Sequence, residues 1–129
     1  MMSALLFSLL ISVSPDLTTQ NKDYWIGQLS SSSAQLRINA LQTLSELKYP
    51  DTISAIAERL KDDDSQVRFA AIRALSMIAH PDSLASISNA LDQEQDSYLK
   101  SEMRRGKKSL EDLLKQETND SPKEKKSER

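Results

Sequence analysis

The chain has 129 residues, a formal net charge of −2, two glycines, six aromatic residues (one Trp, three Tyr, two Phe) and no cysteine. So little glycine beside so much Leu, Ala and Gln leaves no turn chemistry for sandwiches or barrels and favours one helical domain. The small net charge argues against nucleic acid or a membrane surface as the general partner, and the missing cysteines remove disulfide frameworks, zinc–thiolate sites and cysteine nucleophiles.

At the N-terminus, residues 1–21 carry no Lys, Arg or His, and residues 4–13 are apolar apart from Ser8 and Ser12. That run falls far short of the ~20 residues a bilayer-spanning helix needs, so no transmembrane span is expected. Residues 1–14 support two readings. As the h-region of a signal peptide they would send the protein to the periplasm or outside the cell. As a buried helix capping the fold they would leave it in the cytoplasm. A missing positive n-region and Pro15 count against the signal peptide. Trp25, next to Tyr24, is expected to plug the first packing interface of the fold.

Four helical patterns follow. After Ser33, a good N-cap, Leu36, Ala40, Leu41, Leu44 and Leu47 form an apolar stripe. Pro50-Asp51 then opens a helix, since proline suits the first turn and aspartate meets the positive end of the dipole. Its apolar residues are Ile53, Ile56 and Leu60. Asp64 caps the third pattern, with Val67, Ala71, Ile72, Leu75 and Ile78 on its stripe. Pro81-Asp82 opens the fourth, with Leu84, Ile87 and Leu91.

These patterns repeat. Residues 29–60 laid over 60–91, an offset of 31, give ten identities, including Gln35/Gln66, Arg37/Arg68, Ala40/Ala71, Leu44/Leu75, Pro50/Pro81 and Ile56/Ile87. Average residue usage would give roughly two. One helical pair cannot bury its apolar face alone, whereas stacked copies can. The pattern P-D-x-[LI]-x-x-I-x-x-x-L, a polar turn, then [LV]-R-x-x-A-[LI]-x-x-L resembles the short HEAT-like repeats of phycobilisome lyases and many bacterial proteins. The resemblance implies an all-α, right-handed α-solenoid of about two and a half to three helical hairpins over residues 15–114. It also implies an acid–arginine ladder between repeats. Asp62 and Arg68 match its two positions, Arg37 matches the arginine with Ser31 in place of its acid, and a third copy at the same offset puts Gln93 and Leu99 there. One or two rungs are expected.

The third copy decays. At the same offset Tyr98 and Met103 keep the stripe, while Glu102 and Gly106 replace Ala71 and Leu75, as a polar terminal cap requires. Upstream, Leu5, Leu10 and Val13 fall on Leu36, Leu41 and Leu44, which favours a capping helix. Residues 115–129 contain no apolar side chain and read as a disordered charged tail.

Little chemistry is on offer. Two isolated glycines make no phosphate loop. His80, without a second imidazole, reads as the dipole partner of a helix C-terminus. Helix capping and the ladder account for Asp62-Asp63-Asp64. No catalytic residue, metal site or cofactor is expected.

The second helix of each HEAT-like pair lines a concave face. Opposite the buried stripe, spacing places Ile38 and Gln42, then Phe69, Arg73 and Met77, then Lys100, Arg104 and Lys108, a candidate partner-binding stripe. Ser45 and Ser76 fall on the same solvent side. Aromatic, Met and Arg side chains are typical interface anchors. The expected function is a non-enzymatic protein-interaction module, scaffold or adaptor, gripping an acidic or amphipathic segment. The alternative that the resemblance raises is an accessory subunit of a bilin lyase.

Overall fold

The computed structural model describes residues 17–120, with side chains from residue 21 onward. Its helices are α1 (Leu17–Gln28), α2 (Ala34–Leu47), α3 (Ile53–Glu58, flanked by 3-10 turns at Pro50–Thr52 and Arg59–Lys61), α4 (Ser65–Ile78), α5 (Ser83–Gln93) and α6 (Ser97–Asp120). No strand occurs among the described residues. α2 packs on α4 and α4 on α6 in one row; α1, α3 and α5 pack behind them, and α3 also meets α5. Three helical hairpins are therefore stacked as a short solenoid. None of the described helices is long and apolar enough to cross a membrane.

The repeated sequence produces repeated local structure. Ser33 Oγ accepts the Leu36 N–H, and Asp64 Oδ1 accepts those of Gln66 and Val67, so α2 and α4 start 31 residues apart on matching side-chain caps. Both end on a residue in the left-handed region, Lys48 at φ 53° and Ala79 at φ 55°, whose N–H returns to the carbonyl of Leu44 or Leu75. Ala40, Leu41, Leu44, Ala71, Ile72 and Leu75 are buried as the stripes require. Small alanines in the middle of each stripe let the inner helices approach. Val67 is sealed, whereas its equivalent Leu36, in the first described hairpin, is 40% exposed.

The third hairpin departs from the expected register. Asp96 caps α6 by accepting the N–H groups of Tyr98 and Leu99, as Asp64 caps α4, so the last offset is 32 residues. The extra residue falls between Leu91 and Glu94. The buried residues of α6 are then Leu99, Met103, Gly106 and Leu110. Tyr98, expected on the stripe, is 60% exposed, and Leu99, expected at a ladder position, is core.

Both chain ends bear on earlier expectations. Residues 1–14, read as signal peptide or cap, lie outside the described residues, as does 121–129. α6, however, continues through Asp120, six residues into the segment read as a disordered tail, with residues 115–120 all exposed. Once a long helix exists, adding Lys, Gln and Glu costs little, so propagation carries it past the last packed turn.

Candidate partner-binding groove

The inner helices are set in place by a ladder of charges. Arg37 donates from Nε and Nη2 to the two carboxylate oxygens of Asp62, each at 2.9 Å, and from Nη1 to the Ser31 carbonyl at 2.7 Å. Arg68 repeats this one hairpin on, donating to Glu94 at 2.9 and 3.3 Å and to the Asp62 carbonyl at 2.8 Å. Ser31, Asp62 and Glu94 also do one local job, since each accepts the N–H two residues later. Ser31 keeps that turn and lacks the charge. Two rungs result, and the second acid is Glu94, not Gln93, because of the extra residue.

Burial pushes the Asp62 carboxyl up, but the Arg37 hydrogen bond, the Asp64 N–H and the charges of Arg37 and Arg59 outweigh it and hold the group below its ordinary range. Glu94 behaves alike: burial raises it, while the Asp96 N–H and then Arg68 bring it below the usual value. Asp62 and Asp64 are thus used by the ladder and the cap, while the Asp63 side chain is exposed and only its carbonyl takes part, accepting from Arg68 at 3.3 Å. Among the described residues no group of three or more His, Asp or Glu side chains is placed to hold a metal. His80 lies past the end of α4, and its Nδ1 accepts the Asp82 N–H at 3.2 Å. It supports the turn into α5.

Held this way, α2 and α4 leave a groove of about 760 Å³ between them. Leu41, Ala70 and Ala74 lie along it, with Ile38, Gln42 and Glu46 from α2 and Phe69, Arg73 and Met77 from α4. Phe69 is half-buried; its ring lies 5.9 Å from that of Tyr98, and the Arg73 guanidinium sits 5.8 Å over its face. Arg73 itself is exposed, and among the described residues no carboxylate lies within 4.0 Å of it. Met77 is 46% exposed. A smaller hollow of about 270 Å³ between α4 and α6 shares Arg73 and Met77 and adds Glu102, Arg105 and Ser109, so the open face continues across the inner row.

Five of the eight residues assigned to the binding stripe, Ile38, Gln42, Phe69, Arg73 and Met77, line one groove. The other three do not: Lys100, Arg104 and Lys108 line neither hollow, because the 32-residue offset turns them away and brings Tyr98, Glu102 and Arg105 round instead. The dipeptide Asp96-Ser97, matching Asp64-Ser65, was the signal for this shift. Ser45, expected on the solvent side, is buried, donating to the Gln42 carbonyl at 2.7 Å and lying 3.7 Å from Met77 Sδ. Trp25 is partly buried against the core, its ring edge-on to Tyr24 at 5.0 Å.

A family model of HEAT repeats matches residues 23–108. No curated protein matches the sequence.

Proposed function

The chain belongs to the HEAT repeat family, and from that premise we propose that it is a non-enzymatic interaction module whose α2–α4 groove receives a segment of a protein partner. HEAT repeats generally serve as protein-interaction scaffolds and are typically non-enzymatic. The observation that carries the reading is the set of Phe69, Arg73 and Met77 along the groove: a half-buried aromatic, an exposed cation with no carboxylate within 4.0 Å among the described residues, and an exposed, flexible thioether. Residues of these types dominate the cores of interfaces, where a few anchors supply most of the binding energy.

The lining suggests the partner. Ile38, Phe69 and Met77 offer apolar contact, and Arg73, stacked on Phe69, offers a fixed guanidinium. An amphipathic segment suits this, with an apolar face toward the groove and a carboxylate for Arg73. From Ile38 to Glu46 the groove runs about 12 Å along the helix axis, two turns of a bound helix.

A photoreactive phenylalanine placed at Gln42, in the groove, and at Ala85, exposed on α5, tests this in the native host. A discrete protein adduct from position 42 only, lost on Arg73→Glu, is the expected result. Equal labelling from both positions, or none from either, contradicts it.

A further inference from the structure

α4 shows which positions of an inner helix meet the next hairpin. A Cβ on Gly106 of α6 would stand 3.6 Å from Ile72 Cγ2 and 2.8 Å from Ser76 Oγ, so both side chains point at α6. Leu75, between them, is fully buried, and Arg68 reaches forward to Glu94. Carried 32 residues on, these four positions become Lys100 for Arg68, Arg104 for Ile72, Lys107 for Leu75 and Lys108 for Ser76. All four are cations. Among the described residues none of them has a carboxylate within 4.0 Å.

An end cap needs to be polar, and side chains of either sign would serve. Here the stripe has one sign apart from Glu111, in a chain of net charge −2. Like charges four residues apart, as in Lys100/Arg104 and Arg104/Lys108, oppose the helix that carries them. We propose that this end face of the solenoid is a second docking surface, separate from the groove, for an acidic segment of a protein partner. The partner's carboxylates meet Lys100, Arg104, Lys107 and Lys108 much as Glu94 meets Arg68 between repeats. Nucleic acid fits less well. The stripe spans about 12 Å and has no aromatic side chain interleaved with its cations on which a base could stack.

The test uses the full chain and a fluorescein-labelled deca-glutamate peptide, read by anisotropy at low salt. Arg104→Glu with Lys108→Glu should weaken binding at least about tenfold, since both charges face the peptide. Lys48→Glu with Lys61→Glu changes net charge equally at exposed positions off the stripe and should shift affinity less than about threefold, the long-range share of the charge effect that remains at low salt. A deca-thymidylate of equal length should bind more weakly than the peptide. The proposal is overturned if the native chain ignores the peptide, if both reversals weaken it equally, or if the oligonucleotide binds at least as tightly. Melting curves matching wild type confirm that the variants are folded. Because the groove takes no part in this readout, its own role stands or falls separately.

Discussion

Arg68 reaches Glu94, 26 residues ahead, through the same fork that Arg37 uses to reach Asp62, 25 residues ahead. The two rungs differ by the single residue inserted before the last hairpin, and the longer glutamate side chain at position 94 serves where the aspartate does at 62. Each arginine also holds the carbonyl of the turn before its own helix, so one guanidinium joins two hairpins. Arg37→Ala or Arg68→Ala should destabilise by about 1–3 kcal/mol, less than for full burial because both guanidiniums keep some water contact. A double-mutant cycle of Arg68→Ala with Glu94→Ala in urea should return a coupling of about 1–2 kcal/mol. A coupling near zero would make the rung incidental.

Acid should undo the ladder. Both carboxylates titrate lower in the folded protein than in the unfolded chain, so the unfolded state binds more protons as pH falls. Their contribution is therefore fully present above the ordinary values of 3.8 for Asp62 and 4.5 for Glu94, and is lost as pH drops below them. Urea titrations at pH 7, 5 and 3.5 should show little change in the first interval and a clear loss in the second. Asp62→Asn should be less stable at pH 7 and show a shallower loss below pH 4.

The parts of this fold that were legible in the sequence are those set by local chemistry. Ser33 and Asp64 as caps, the two apolar stripes and the matching arginines follow from residue type and spacing alone. The last hairpin was not legible from a fixed offset, because helix α5 runs unbroken to Gln93 while α3 closes in a 3-10 turn at Lys61. A one-residue slip rotates a helix by about 100°, enough to move Lys100, Arg104 and Lys108 off the groove and bring Tyr98 and Arg105 toward it. Ser45 was misplaced for a different reason: a small hydroxyl that bonds its own helix carbonyl is at ease under a neighbouring methionine, and periodicity cannot see that.

Gly106 occupies the position of Ala74, against Ser76 of the neighbouring helix. Its backbone is ordinary helix, so Gly106→Ala alone sets a propensity gain of about 1 kcal/mol against a clash with Ser76 Oγ. Removing that oxygen separates the two effects. In a Ser76→Ala background, Gly106→Ala should stabilise by about 0.5–1 kcal/mol, and in wild type it should gain less or lose. Thermal melts of the four variants decide it; equal effects in both backgrounds would mean the contact is loose.

The groove is the centre of the functional reading, and Arg73 and Met77 are the side chains to change, because both are exposed whereas Phe69 is partly packed on the core. The most direct measurement takes the protein captured by cross-linking from Gln42 and titrates it calorimetrically into wild type and the Arg73→Glu, Met77→Glu double variant. The melting temperature of the variant is recorded alongside. Affinity should fall at least about tenfold, as reversing a central charge and removing an apolar anchor at an interface do, with the melting temperature unchanged. Unaltered affinity, or a loss that appears only with an earlier melt, would contradict the groove as the binding site.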